Sequence, residues 1–339
     1  MPHRILRLIK DVDKTHCGLG KLCAFLQVAL KAGKFILVVS VAGTGKTTAM
    51  QFIAKSNPDG CITVNQFTRS GLAQKEKELN GFRGSLFVDD LGNIDTGYSL
   101  HESIKSGIML CYGHELSKYN ASININIQNF HGSMCTSIQP VKMPMIISGT
   151  DWEAVMQDKT IRYYHLIRAI KPNMSPILAK IDWGIDINKV KIKLGNNEKY
   201  KRLLRIGLLQ WGRSRATEHI NDLLKSLAAI DRRLRVSNRD LDVLLMLIRP
   251  LMLESYIIDK EGFESEKTFY NDHLCMLTEL ASYNELTHDN VASDFKVNLR
   301  TVERLLSKVR IYYTPDPKDK KLLHPSVEAL EVLKICGYR

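Results

Sequence analysis

Apolar residues recur at helical spacing between Cys17 and Lys31, at Leu19, Leu22, Cys23, Leu26, Ala29 and Leu30, and predict an amphipathic helix. Phe35-Ile-Leu-Val-Val39 follows as an unbroken apolar run of strand length, the pattern of a strand covered on both faces of a parallel sheet. Further short strands are expected at Cys61 to Val64, Ser85 to Val88 and Pro144 to Ile147, with helical segments between them. This alternation predicts an α/β core with a parallel sheet. Between the last two strands, Ala121-Ser-Ile-Asn-Ile-Asn-Ile-Gln-Asn-Phe130 alternates strictly between apolar and amide residues. It predicts a two-faced strand, read as a β-hairpin-like insertion near 121–139. After Pro172 the pattern turns helical, with three- and four-residue apolar intervals over Tyr200 to Trp211, Ala216 to Ala229 and Asp240 to Tyr256. Gly212 and the basic run Asp231-Arg-Arg-Leu-Arg235 separate these helices.

At 339 residues the chain has room for two or three compact units. The expected division is a P-loop core over 1–180, a helical subdomain over 181–258 and a third unit over 259–339. Lys and Arg outnumber Asp and Glu by 48 to 36, a net charge of +12 that favours polyanionic partners. The seven scattered cysteines, mostly in apolar stretches, suit reduced thiols in a cytoplasmic or nucleoid-associated protein. The spacing of Cys17 and Cys23 fits no common zinc pattern. The segment Met1 to Lys10 lacks the apolar core of a signal peptide. The most apolar stretch, Leu241 to Ile258, is interrupted by Asp242, Arg249, Pro250 and Glu254, so no membrane span is expected.

The chemistry concentrates first in Ser40-Val-Ala-Gly-Thr-Gly-Lys-Thr-Thr48, between a predicted strand and a predicted helix. In such a P-loop, backbone N–H groups freed by glycine wrap phosphates at the positive end of a helix. Ala42, Gly43, Thr44, Gly45, Lys46, Thr47 and Thr48 are the candidate nucleotide-binding residues, with Lys46 reaching the β- and γ-phosphates and Thr47 ligating Mg²⁺. One departure stands out: the GxxxxGK[ST] pattern has Gly where this chain has Ser40. The second element, Leu86-Phe-Val-Asp-Asp-Leu-Gly92, ends an apolar strand in two carboxylates. Asp89 is the candidate second metal ligand, and Asp90 the group that orients or deprotonates the attacking water. Arg162 and Arg168 are candidate arginine fingers, which would reach the γ-phosphate bound by a neighbouring subunit.

Taken together, Ala42-Gly-Thr-Gly-Lys-Thr-Thr48, Phe87-Val-Asp-Asp-Leu-Gly92, the apolar run ending Ile147-Ser148-Gly-Thr150 and Gly212-Arg-Ser-Arg215 occur in the order of the AAA+ P-loop ATPases. The Asp-Asp-Leu-Gly form resembles the helicase-loader and transposition ATPases of that superfamily. The resemblance covers about Lys31 to Ala229. It implies a helical lid, ATP and Mg²⁺ as cofactors, a homo-oligomer, and Ser148 or Thr150 sensing the γ-phosphate from a strand tip. It also implies that Arg215, with Arg213 as the alternative, folds over the nucleotide. Asp90 departs from the Asp-Glu pair of many members, and its carboxylate reaches less far.

In the third unit, His288 to Lys296 and Leu299 to Lys308 read as two helices joined at Val297-Asn298, a helix-turn-helix. Asn298, Arg300, Thr301, Arg304 and Lys308 would face base edges and phosphates, and Lys318, Lys320 and Lys321 would sit on a wing hairpin. A winged helix behind an AAA+ core also resembles replication initiators. The expected function is that of an ATP-dependent DNA-binding ATPase acting on double-stranded DNA in replication initiation, helicase loading or transposition, with a helicase or transposase as further partner. The competing expectations are a P-loop regulatory switch with a protein-binding third unit, and a DNA-translocating or packaging motor.

Overall fold

The computed structural model describes residues 3–40, 43–64, 69–91, 94, 96–119, 124–147, 149, 151–165, 182–254, 286–294, 298–308, 313–327 and 329–331. The chain divides into two compact units, Met1–Glu254 and Ser255–Arg339. The first begins with α1 (Arg4–Asp13), α2 (Gly20–Lys31), β1 (Phe35–Val39), α3 (Lys46–Ser56) and β2 (Cys61–Val64). It continues through α4 (Arg69–Gln74), α5 (Glu76–Leu79), β3 (Ser85–Asp90), α6 (Gly97–Ile108), β4 (Leu116–Tyr119) and β5 (Asn124–Ile127). Then come β6 (Ser133–Ile138), α7 (Met143–Ile147), β7 (Ile161–Tyr164), α8 (Glu198–Gly207), α9 (Arg213–Ile230) and α10 (Asn238–Leu247).

Five strands form one parallel sheet in the order β2-β3-β6-β1-β7. All five residues of β1 are fully buried, because strands flank it on both edges and helices cover both faces. Ile36 and Val38 join the core formed with α2 and α3. On the opposite face Phe35 and Met134 lie against Gly107 of α6, where a Cβ would come within 2.7 Å of the Met134 sulfur. The fold is therefore α/β with helices on both sides of a parallel sheet, as the alternating pattern predicts.

One expected strand is a helix. Pro144 to Ile147 lies in α7, and the fourth sheet strand is Ser133–Ile138, between β1 and β3. A short apolar run fits a buried helix as well as a buried strand, and proline is tolerated in a helix's first turn. The 121–139 segment is likewise divided. Its alternating part, β5, pairs antiparallel with β4, burying Ile125 and Ile127 and exposing Asn124 and Asn126, while its end is sheet strand β6.

Helices α8 to α10 do not form a separate unit. Leu203, Trp211, Ile220, Leu224, Leu241 and Leu244 share one continuous core with Phe25, Val28 and Ile36. A capping box at Ser237 and Asp240 starts α10, and Pro250 lies in the short turn that follows it. Among the described residues, no helix is long and apolar enough to cross a membrane.

The second unit contains α11 (His288–Asp294), α12 (Leu299–Lys308) and a three-stranded antiparallel sheet of β8 (Leu286–Thr287), β9 (Tyr313–Pro315) and β10 (Leu322–Pro325) in the order β8-β10-β9. Val302, Leu306, Leu323 and Ala329 are buried. The Asp316 carboxylate accepts from the Lys318 and Asp319 N–H groups and closes the β9–β10 turn.

Candidate functional site

In a parallel sheet every strand ends at the same edge, so the sequence order of β1, β3, β6 and β7 brings four chain segments together. After β1 the loop passes through Gly43 and Gly45 with φ of 80° and 90°, a left-handed backbone that favours glycine. Gly45 caps α3 without any side-chain acceptor, which leaves the first-turn N–H groups of an eleven-residue helix available to an anion. Ser40, where the sequence pattern has glycine, is fully buried. Its N–H donates to Ile138 O at 3.0 Å and its Oγ accepts from Thr44 Oγ1 at 3.1 Å. The departure thus stitches the loop to its own start.

Lys46, the first residue of α3, is buried, and its ammonium lies 2.7 Å from Asp90 Oδ2. A register shift between Phe87 and Asp90 marks a bulge at the end of β3, and such a bulge re-aims the side chains beside it. Asp89 and Thr47 instead line one cavity of about 80 Å³ between α3 and β3, together with Gln51 and Thr63. Thr136 Oγ1 donates to the Asp89 carbonyl at 3.1 Å and ties β6 to the acidic pair. Thr48 is half-buried in the same helical turn. The proposed phosphate and metal ligands thus lie at one sheet edge, in a form that fits a nucleoside triphosphate with a divalent cation.

Three residues at this edge were missed by the sequence reading. Ser137 pairs with Val38 on one side and Asp90 on the other, and its buried Oγ has no protein hydrogen-bond partner. Gln139, half-buried, follows at the tip of β6. The order of strands alone places them between the P-loop and the acidic pair. The third, His165, follows β7 and is buried, with Nε2 donating to the Thr44 carbonyl at 3.1 Å. Burial pushes its pKa down to about 4, so it is neutral near pH 7. Nothing local in the sequence marks a residue 121 positions from its partner.

The arginines are placed otherwise than expected. Arg162 is fully buried in β7, bound to both Glu254 carboxylate oxygens at 2.6 and 2.7 Å. It also donates to the carbonyls of Gln157, Thr160 and Gln210 and stacks over the Trp152 ring at 5.0 Å. Its guanidinium is committed to the interior, and reaching another subunit would leave Glu254 buried without its partner. It is a structural group rather than a finger.

Arg215 lies at the opposite end of the sheet. It pairs with Glu218 at 2.5 Å and sits over the Tyr112 ring, which also faces Lys34, the residue before β1. The length of β1 and its flanks separates this end from the P-loop by about 20 Å, beyond the reach of an arginine. The cause is local: Gly212 N–H donates to Asp158 Oδ1 and Trp211 Nε1 to the Thr160 carbonyl, which moors the start of α9, Arg213 included, beneath β7. Arg215 thus does not reach the loop expected of it; it pairs with Glu218 beside the Tyr112 ring.

In the second unit, Asn298 caps α12 by accepting from the N–H and hydroxyl of Thr301, and Arg300 is exposed. Lys318, Lys320 and Lys321 are exposed on the β9–β10 connection. Ala42, Ser148, Thr150 and Arg168 lie outside the described residues, as do the side chains of Arg304 and Lys308. No protein-family model matches the chain, and no curated protein matches it either.

Proposed function

We propose that the chain is an ATP-dependent DNA-binding ATPase of the AAA+ kind, with a winged helix as its second unit. The observation that carries the ATPase reading is the convergence, at one sheet edge, of an uncapped helix N-terminus, Lys46 on Asp90, and Asp89 beside Thr47. A strand between β1 and β3, with Ser137 and Gln139 at its end, supports the AAA+ form, in which a polar strand tip lies between nucleotide and acidic pair. Bound ATP and Mg²⁺ would supply the phosphoanhydride and the charge-neutralising cation. The N–H groups of α3 and Lys46 would hold phosphate, Thr47 and Asp89 would hold the cation, and His165 keeps the loop carbonyl of Thr44 oriented. Lys46, paired with Asp90 here, would turn to the phosphate, and Asp90, so released, would be the group that takes a proton from water.

DNA as the partner is supported by the net charge of +12 and by the second unit, in which two short helices precede a hairpin whose turn exposes Lys318, Lys320 and Lys321. Assembly into an oligomer, a helicase or transposase as partner, and Arg168 as the remaining finger candidate belong to the same reading. The test is ATP turnover with and without double-stranded DNA for wild type, Lys46→Ala and Asp90→Asn. We expect DNA-stimulated turnover in wild type and its loss in both variants. DNA that neither binds nor changes turnover sinks the reading.

A further inference from the structure

The basic run around Arg235 has no part in the ATP site, yet the fold builds it into a ridge. Lys191 N–H donates to Leu234 O at 2.9 Å and Val236 N–H donates to Lys191 O at 3.1 Å. This parallel bridge sets Lys191 beside Arg235. Val190 turns inward against Ala228 and Ala229, and Lys189, Lys191 and Lys193 are exposed around it. Leu234, 58% exposed, lies next to Arg235.

Neighbouring cations are neutralised: Arg232 pairs with Asp182, Arg233 with Asp231 and Asp240, and Lys199 with Asp242. Among the described residues, Lys189, Lys191, Lys193 and Arg235 have no acidic group within salt-bridge distance. The nearest acid in sequence, Asp186, instead accepts from the Asn188 N–H at 2.9 Å. Like charges side by side on paired strands are destabilising, and Val190 already supplies the packing, so the fold gains nothing from this arrangement. A polyanion would relieve the repulsion.

We infer that Lys189, Lys191, Lys193 and Arg235 form a second DNA-backbone contact, on the ATPase unit and separate from the one proposed for the second unit. Lys191 and Lys193 occupy alternate positions about 7 Å apart, just beyond the turn that ends at Lys189, a spacing suited to successive phosphates rather than to the irregular carboxylates of an acidic protein. The inference rests on the reading of the chain as DNA-binding.

The experiment titrates the full-length protein against a fluorescent duplex of random sequence between about 50 and 200 mM salt. Its main variant is Lys189→Gln, Lys191→Gln, Lys193→Gln and Arg235→Gln combined. Four lost phosphate contacts should make the slope of log affinity against log salt shallower by about three to four, and weaken binding by about two orders of magnitude. Melting temperature should equal or slightly exceed that of wild type, because the like-charge repulsion is removed, and ATP affinity should match wild type, since all four side chains are exposed. A second variant with the three lysines changed to arginine should bind as wild type does. Wild-type affinity and slope in the glutamine variant overturn the ridge, leave the DNA reading standing, and point to an acidic protein as the occupant. Equal loss in the arginine variant overturns it too, because charge would not be the cause. Wild type that binds no duplex at any salt defeats both.

Discussion

Each end of the parallel sheet holds a buried lysine 2.7 Å from an aspartate: Lys46 with Asp90 at one, Lys34 with Asp222 at the other. The pairs are alike in distance and burial, but their surroundings differ. Lys46 opens an uncapped helix behind two left-handed glycines, so backbone donors face the same space as its ammonium. Lys34 has a second carboxylate, Glu218, at 3.5 Å and the Tyr112 ring over it, and its partners come from α9, which it clamps to the sheet. A buried ion pair therefore does not make a binding site. What sets the Lys46 pair apart is the uncapped helix start beside it, whose N–H groups would supply the affinity for an anion that a carboxylate alone repels.

Exchanging the roles of the two lysines is the strongest way to break this contrast. Lys46→Ala should lower turnover by about 10²–10³-fold, a loss larger than any stability change from breaking its pair with Asp90. Lys34→Ala should cost about 1–3 kcal/mol of stability and leave ATP affinity intact. Turnover assays and thermal unfolding of both proteins decide it, and an ATP-binding defect in the Lys34 variant would erase the distinction.

The two arginines extend the comparison. Arg162→Ala leaves Glu254 buried without its partner and should destabilise by about 3–5 kcal/mol, read by denaturant unfolding. Arg215→Ala removes a part-exposed pair and should cost under about 1 kcal/mol with turnover unchanged. Slower hydrolysis in a fully folded Arg215 variant would restore the nucleotide-sensing role.

Acid provides the finest probe. His165 at the loop end titrates at about 4 in the folded chain, lowered mainly by burial; His219 at the far end titrates at about 3, lowered mainly by burial and also by the charge of Lys34. Free histidine titrates near 6.5. Between these values the unfolded chain binds more protons, so stability is full above pH about 6.5 and falls as pH drops through the window. His165→Gln keeps a donor for Thr44 without titrating, and should remove about 3 kcal/mol of the acid-dependent loss between pH 6.5 and 4. Melting temperature against pH for the two proteins checks this, and superimposable curves would exclude His165 as a source of it.

Some of these features were legible before folding. The five apolar residues of β1 announce a strand covered on both faces, and Asn124 to Ile127 announce one exposed face, because side-chain alternation is local geometry. The P-loop is equally local, since its glycines act through their own φ angles. The helix over Met143 to Ile147 was not legible, because four or five apolar residues satisfy either period. Misreading it moved the expected strand tip from Ser137 and Gln139 to Ser148 and Thr150.

The amino-acid sequence by itself determined an α/β chain with a glycine-bearing loop between a strand and a helix, an acidic pair on a strand end and a partly helical tail. Only tertiary structure decided which polar groups meet there. Asp90 turns to Lys46, His165 reaches across 121 positions to Thr44, Arg162 spends its donors on Glu254 at a separation of 92, and Arg215 ends at the opposite end of the sheet from the glycine loop. The reason is physical: periodicity and turn chemistry act within a few residues, whereas strand order and the docking of α9 are set by burying one shared core, and that burial decides which end of the sheet each side chain occupies.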